Sequence, residues 1–297
     1  MQRYQYLHQI QSLDPVTQHR QICQLSTGYE FPWATNRALE IALLRTFCVP
    51  SIAAILQQTG KFIHHSQNRY DDTGLLIANI LHWGYDSPQG SAAIARMNQI
   101  HGRYRIHNTD YLYVLSTFIF EPIRWNQRFG WRPLCEQERL ALFYFWRAVG
   151  ERMHIQHIPT TYEAFEQFNQ DFERQHLKYS EANRLVADAV LKMLLSWFPA
   201  LGQPLVRSSV YALLDDTMLA ALNWPQPTPR SRQFVTSALK LRQQALRWLP
   251  PRKSSGFKPA PMMEGHLAPA ETLDQATSAP FPPRSRCPFH QILQLSR

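Results

Sequence analysis

Apolar residues recur at helical spacing along most of the chain, and this periodicity limits the available folds more than any other feature. The segment EQERLALFYFWRAVG, residues 136–150, is typical: it carries acids in its first turn and ends on glycine, as helices do. Regular alternation of apolar and polar residues is rare, and no Asn-Gly or Asp-Gly hairpin turn occurs. We therefore predict an all-α fold, with a single multi-helix domain over residues 1–250.

The periodicity predicts ten helices in this domain. Their ranges are 36–47, 51–58, 70–83, 87–106, 108–120, 136–150, 161–175, 181–198, 205–222 and 231–249. From Pro251 the composition changes to one rich in proline, alanine and serine, without apolar periodicity. We predict that residues 251–297 form a tail that is mostly disordered or loosely docked on the domain.

Charge and cysteine usage limit the partners that this chain can have. The net charge of +9 favours an anionic partner. Nucleic acid is the weaker choice, because the basic residues are scattered and no nucleic-acid-binding motif appears. Four cysteines stand far apart with no CxxC pair, which argues against a zinc cluster, a disulfide framework and a thioether-bound haem.

The sequence also bears on the relation to membranes. The N-terminal stretch is polar, and the apolar run over residues 111–120 is shorter than the roughly 18 residues of a membrane span, so we expect a cytoplasmic protein without signal peptide or transmembrane segment. The last predicted helix is basic and carries one apolar stripe. We expect that stripe to face the core, and peripheral contact with an anionic membrane is the alternative. Its members are Phe234, Ala238, Leu241, Ala245 and Leu249.

The stretch SAAIARMNQIHGRYRIHN, residues 91–108, combines helical spacing with a histidine among arginines. Ser87 suits the N-cap and Pro88 the first helical position of the predicted 87–106 helix. His101 lies beside its apolar stripe, which comprises Ala93, Met97, Ile100 and Tyr104. Three arginines surround this histidine: Arg96, Arg103 and Arg105.

His101 allows two interpretations. A histidine beside an apolar stripe is commonly a core residue with one hydrogen-bond partner. It can also be directed at a bound cofactor, with the arginines meeting the acid groups of that cofactor. Spacing alone leaves both interpretations open.

Arg69 and Thr73, in HHSQNRYDDTGLL, stand four residues apart and share one helix face, with His65 one turn earlier. An arginine and a hydroxyl on one face can hydrogen-bond a small polar ligand in an apolar pocket. The structural alternative is that Arg69 pairs with Asp72 or caps a neighbouring helix.

Other familiar sites lack their necessary parts. The chain contains no GxGxxG, GxxxxGK[ST], HExxH or GxSxG motif. The pairs His64 with His65 and His154 with His157 have no carboxylate partner at ligand spacing. Neither pair is therefore favoured as a metal site.

The order Arg69, Thr73, His101, Arg105 resembles the MpaB and latex-clearing-protein group of haem b oxygenases. The blocks RTFCVPSIAAILQQTGKF, RYDDTGLL, RMNQIHGRYRIHNTDYLYVLSTFIFEPIRW and ERLALFYFWRAVG are most similar to its fungal MpaB branch. The resemblance covers roughly residues 33–190.

This resemblance implies an all-α fold that holds haem b between helices. It implies His101 as the proximal iron ligand, Arg105 as a cofactor-binding residue, and Arg69 and Thr73 as catalytic residues. It further implies that O2 is used to cleave a carbon–carbon double bond in an isoprenoid or other lipophilic chain, such as that of a prenylated substrate. A haem needs an apolar helix face, a neutral imidazole and nearby cations, all of which the 87–106 segment offers.

The sequence departs from the latex proteins at two places. They carry a lysine just before the matching threonine, where this chain has Asp72. They also carry a glutamate, proposed as a catalytic base, in a region that reads SIAAILQQ here and holds no acid. The rubber mechanism therefore cannot be transferred unchanged.

The rival hypothesis is a haem-binding or lipid-binding helical protein without oxygenase turnover. The tail sequence RCPFH, which contains Cys287 and His290, favours it to some degree, because Cys-Pro dipeptides in flexible segments can bind haem.

Overall fold

The computed structural model describes residues 3–256, and within that range the chain is helical throughout, without a strand. The all-α prediction is confirmed. A π-helical turn (Ser26–Glu30) and a 3-10 turn (Ala200–Gly202) accompany fourteen α-helices in this part of the chain. The α-helices are α1 (Gln5–Gln11), α2 (His19–Leu25), α3 (Pro32–Phe47), α4 (Pro50–Thr59), α5 (Lys61–His64), α6 (Ser66–Trp83), α7 (Pro88–His101), α8 (Asn108–Phe129), α9 (Glu136–Arg152), α10 (Tyr162–His176), α11 (Glu181–Leu195), α12 (Gln203–Leu213), α13 (Asp216–Leu222) and α14 (Pro229–Trp248).

Polar caps begin several of these helices. The Ser87 hydroxyl accepts a hydrogen bond from the Gly90 N–H at the start of α7, and the Thr161 hydroxyl accepts one from Ala164 at the start of α10. Each cap satisfies an N–H group that has no partner inside its helix. The Ser87 cap is as predicted from the sequence.

The predicted 87–106 helix is too long. α7 ends at His101, Gly102 follows as its C-cap, and the Tyr104 N–H donates to the His101 carbonyl in a turn. Tyr104 is exposed rather than part of a buried stripe. The arginine four residues after His101 therefore lies outside the helix.

Among the other predicted ranges, two differ most from the structure. The predicted 108–120 helix continues through Pro122 to Phe129. The predicted 205–222 helix is two helices, because the Asp215 carboxylate accepts from the Met218 N–H and starts α13 anew.

The main core joins helices from distant parts of the chain. α3 packs along α8, α6 along α7, α2 along α9 and α4 along α11. Helices α1 and α2, which periodicity did not predict, belong to this core: Ile10 and Ile22 are fully buried in it. No single helix among the described residues could cross a membrane by length and composition, although α3 and α4 pass that test together as a pair bent by 94°.

Buried ion pairs connect the helices. Arg45 on α3 contacts Glu121 on α8 (3.0 Å), Glu173 on α10 (3.3 Å) and Asp215 at the start of α13 (2.8 Å). These four residues and Arg124 line a cleft of about 310 Å³. The carboxylates keep a charged arginine satisfied away from water, since an unpaired buried charge would be costly.

The apolar stripe predicted on the last helix faces away from the core, contrary to the prediction. Phe234 and Leu241 are exposed on α14, while Val235, Leu239 and Leu246 face the protein. Leu239 and Leu246 pack against the cluster around Trp125 and Trp131. α14 is therefore packed on the protein through Val235, Leu239 and Leu246 and not through the stripe predicted from the sequence.

The first residues of the predicted tail lie against the helical body. The Gly256 N–H donates to the Gly28 carbonyl (2.7 Å), and the Tyr6 hydroxyl donates to the Arg252 carbonyl (2.7 Å). The remainder of the predicted tail, residues 257–297, lies outside the described residues, as do Cys287 and His290.

Candidate functional site

α6 and α7 form a hairpin that brings the predicted site residues together. A link of four residues, 84–87, joins them, and the two helices pack against each other. Such a short link makes consecutive helices antiparallel neighbours. Arg69 near the start of α6 and His101 at the end of α7 lie at similar distances from the turn. The hairpin therefore explains why Arg69 and His101 lie side by side although they are far apart in the sequence.

Two glycines allow the first turn of α7 to approach the backbone of the link closely. Gly84 has φ +82°, a conformation that other residues rarely adopt. At Gly90, in the first turn of α7, an added Cβ would lie 2.0 Å from the Gly84 carbonyl oxygen. The start of α7 consequently rests directly on the backbone of the turn.

His101 is partly buried at the end of α7, and its buried Nδ1 has no hydrogen-bond partner among the described residues. Burial, together with a smaller effect of the nearby Arg69 charge, lowers the pKa of His101 to about 4. The imidazole is therefore neutral at pH 7 and has a ring nitrogen available. Nδ1 does not make the hydrogen bond that the interpretation of His101 as a satisfied core histidine would require of it.

Arg69 lies near this histidine in a partly buried position. Its guanidinium carbon is 5.6 Å from the centroid of the Phe62 ring, within the range of a cation–π contact. Burial is the largest influence on its pKa, which is lowered, and the charges of Asp72 and Tyr104 oppose that effect. The Phe62 contact on α5 was not expected, since nothing in the sequence pattern places that ring beneath Arg69.

Thr73 lies one helical turn after Arg69 on α6. Its hydroxyl donates to the Arg69 backbone carbonyl (2.8 Å). The hydroxyl proton is thus used within the helix, while the oxygen lone pairs remain able to accept a hydrogen bond. Thr73 can therefore act as an acceptor toward a ligand without leaving its rotamer.

Arg105 does not share a helix face with His101, contrary to the spacing argument. It lies exposed in the link between α7 and α8, as does Arg103. Arg96, on α7, is partly buried, and burial together with the Arg103 charge lowers its pKa. The end of α7 and the following link therefore form a cationic edge suited to acid groups.

Aromatic and apolar side chains form the opposite side of the site. The Tyr111 ring meets the His101 ring edge-on, with centroids 5.5 Å apart. Met97 and Tyr111 both pack against the main core cluster. Elsewhere, between α3, α6, α8 and α9, Leu81, Phe118 and Trp146 line a cavity of only about 10 Å³, and the Phe118 and Trp146 rings stack at 4.5 Å.

The remaining histidines singled out by the sequence occupy other positions. His65 stands exposed before α6, and His107 stands exposed at the N-cap of α8. His154 and His157 adopt positive φ values of 60° and 57° in the loop after α9. In the described part of the chain, no three histidine, cysteine or acidic residues gather as a metal-binding group.

The residues around His101 fit a haem that is held by a single histidine. The imidazole is neutral and has an unpartnered buried nitrogen, an apolar wall stands on one side, and cations stand at the edge. Neutral imidazole, apolar contact and hydrogen-bond donors at the periphery are the features by which proteins hold haem iron.

The fold and site together define an all-α protein in which a helical hairpin places His101 beside Arg69. The chain belongs to the family described as "ER-bound oxygenase mpaB/B'/Rubber oxygenase, catalytic domain", whose model matches residues 34–248. Arg69, Thr73, His101 and Arg105 all fall within that match. The resemblance inferred from the sequence blocks is confirmed.

Three curated fungal proteins are similar to this chain. ER-bound oxygenase mpaB' of Penicillium brevicompactum is 29% identical over 245 residues, which is 76% of this chain and 58% of that protein. ER-bound oxygenase mpaB of Penicillium roqueforti (strain FM164) is 29% identical over 68% of this chain and 74% of its own length. The mpaB of Penicillium brevicompactum is 29% identical over 67% and 56%. The chain thus spans 58% and 56% of the length of the two Penicillium brevicompactum relatives.

Proposed function

We propose that this protein is a haem b-dependent oxygenase that uses O2 to cleave a carbon–carbon double bond in an isoprenoid or other lipophilic chain. The observation that carries the proposal is the buried, unpartnered Nδ1 of His101, in a chain that belongs to an oxygenase family. The alternative is a non-catalytic haem- or lipid-binding helical protein.

Each residue of the hairpin has a role in this proposal. His101 would hold the haem iron, since its lowered pKa keeps the imidazole neutral and able to bind a metal. The bound haem would supply the activation of O2. Arg69 would donate hydrogen bonds to the substrate, and Thr73 would accept one. Arg105 and the cationic edge would meet the propionates.

The apolar and aromatic side chains beside His101, Met97 and Tyr111, suit contact with a hydrocarbon chain. The catalytic base differs from that of the latex proteins, since α4 supplies no acid where they carry a glutamate and Asp72 replaces their lysine. A polymer substrate is therefore disfavoured, and a smaller prenylated lipid is favoured.

The first test is haem content. Purified wild-type protein should show a Soret band and release haem b into acidified organic solvent. His101→Ala removes the protein–iron bond, so it should lose most of its haem, and added imidazole should partly restore the spectrum. His107→Ala is the matched control, because His107 is exposed six residues away and should keep the wild-type spectrum. Wild-type protein that stays colourless with added haemin, or His101→Ala with an unchanged spectrum, would refute this assignment.

The second test is turnover. Haem-loaded protein is incubated with 18O2 and a panel of prenylated lipids, and carbonyl products are read by mass spectrometry. Arg69→Ala and Thr73→Val leave the iron ligand in place, so each should keep its Soret band and lose activity at least about tenfold, a typical effect of removing one stabilising donor or acceptor. Haem-loaded protein without any product would favour the non-catalytic alternative.

A further inference from the structure

α14 carries a second apolar stripe that faces away from the protein. Phe234, Leu241 and Trp248 follow one another at intervals of seven residues, so they share one helix face. Their exposed fractions are 61%, 73% and 88%. Isolated exposed apolar residues are ordinary, but three large ones aligned along one helix form a continuous surface.

The inward face of α14 is already occupied. Val235, Leu239 and Leu246 face the protein, and Arg242 lies over the Trp33 ring, 3.8 Å from its centroid. The helix therefore does not need the outward stripe for its own packing. α12 packs against α14, and two exposed leucines lie at its N-terminal end: Leu201, in the 3-10 turn before it, is 98% exposed, and Leu205, in its first turn, is 60% exposed.

Basic residues flank the stripe, and the helix PRSRQFVTSALKLRQQALRW contains five of them and no acid. Lys240 and Arg247 each precede a stripe residue by one position, and Arg230 stands one turn before Phe234. Arg230 and Lys240 are exposed, as is Arg207 on the adjacent α12. This surface is therefore apolar along its centre and positive along its flank.

The charge distribution selects the partner. A second copy of the chain would bring two helices without acids face to face, and their basic flanks would repel each other. An anionic bilayer offers apolar acyl chains for the stripe and phosphate and carboxylate groups for the flank. We propose that α14 docks in the plane of an anionic phospholipid membrane through Phe234, Leu241 and Trp248.

This docking deepens the proposed function, because it gives the site access to a lipid-dissolved substrate. It concerns a helix remote in sequence from the hairpin, and vesicle binding requires neither haem nor turnover. The two proposals can therefore fail separately.

The test measures co-sedimentation of the full chain with vesicles of three parts phosphatidylcholine to one part phosphatidylserine. Wild-type protein should bind these vesicles at 0.1 M salt and bind pure phosphatidylcholine far less. The variant with Phe234→Ser, Leu241→Ser and Trp248→Ser should bind at least about tenfold less, because binding scales with buried apolar area. Circular dichroism checks that the variant remains helical.

A matched control replaces three exposed apolar residues elsewhere, Val16→Ser, Trp83→Ser and Tyr179→Ser, whose exposed fractions are 53%, 48% and 48%. It should bind as wild type does.

A second pair of variants tests the charge without disturbing packing. Arg230→Gln with Lys240→Gln should weaken binding about as much as raising the salt to 1 M, where the screening length falls from about 10 Å to about 3 Å. Lys178→Gln with Lys192→Gln, exposed on other surfaces, should have no effect.

Four outcomes would overturn the proposal. They are wild-type protein that does not bind anionic vesicles, equal binding by the stripe variant, a wild-type dimer in light scattering that the stripe variant abolishes, and vesicle binding that appears only after residues 257–297 are removed. The third outcome would identify a second copy as the occupant, and the fourth would identify the chain's own C-terminal segment.

Discussion

At the scale of single residues, His101 differs from the other histidines of the chain by its surroundings. Burial disfavours the imidazolium, and Arg69 adds a like charge that disfavours it further. His107, six residues later, is exposed beyond the end of α7. The difference between them is one of position in the fold, not of residue type.

This environment predicts a pH dependence for the haem-free protein. The pKa of His101 is lowered to about 4 in the folded state, from 6.5 for an ordinary histidine. Between those values the unfolded chain binds one proton more, so the free energy of unfolding should fall as the pH is lowered from about 7 to about 4. The loss is at most about 3 kcal/mol, at about 1.4 kcal/mol per pKa unit.

Urea unfolding of the haem-free protein at several pH values measures this effect. His101→Gln should lose this part of the pH dependence, since glutamine does not titrate. His107→Gln should keep it. If His101→Gln and wild type follow the same curve, His101 is not buried as described.

At the scale of helices, the α6–α7 hairpin is the element on which the site depends. Its two arms carry Arg69 and His101, and its turn is held by the contact between Gly90 and the Gly84 backbone. A change in that contact alters the distance between the two arms, although it lies at the far end of the hairpin from the site.

Gly90→Ala tests this dependence. The added Cβ would lie 2.0 Å from the Gly84 oxygen and 2.8 Å from its carbonyl carbon, so the backbone must move. We expect a loss of about 1–3 kcal/mol in the free energy of unfolding, as for other overpacked sites, together with weaker haem binding. Urea unfolding and haemin titration measure the two effects.

Gly202→Ala is the control for this experiment, because an added Cβ there meets nothing within 4 Å. It should leave stability and haem binding unchanged. Wild-type behaviour of Gly90→Ala would show that the hairpin turn tolerates a wider spacing.

At the scale of the whole molecule, the helical body extends beyond the family match at both ends. The match begins at residue 34, yet Ile10 on α1 and Ile22 on α2 are fully buried in the main core. After α14, Gly256 is hydrogen-bonded to Gly28. The N-terminal helices and the segment after α14 are therefore part of one packed structure.

Shortening the chain tests this extent. A chain that ends after Gly256 keeps these contacts and should retain its haem spectrum and thermal midpoint. A chain that ends after Pro250 loses the hydrogen bonds made by Arg252 and Gly256, so its thermal midpoint should be lower. Loss of haem from the chain ending at Gly256 would show that Cys287 or His290 takes part in the site.

The sequence by itself determined the helical class and most of the helices. These depend on local interactions: spacing along one helix face and a capping hydroxyl such as that of Ser87. The family blocks include the α6–α7 region, so Arg69, Thr73 and His101 could be selected before the fold was known. The short N-terminal helices were missed because seven residues offer too little periodicity to detect.

Only the tertiary structure decided which faces are buried. Periodicity identifies the residues that share a face of α14, but not whether Phe234 or Val235 meets the core, because that depends on which distant helix packs against it. The same holds for Arg45, whose three carboxylate partners come from three other helical regions. The tertiary structure also decides the protonation of His101. Its imidazole is neutral because of burial and because of the charge of Arg69, which only the packing of α6 on α7 brings near.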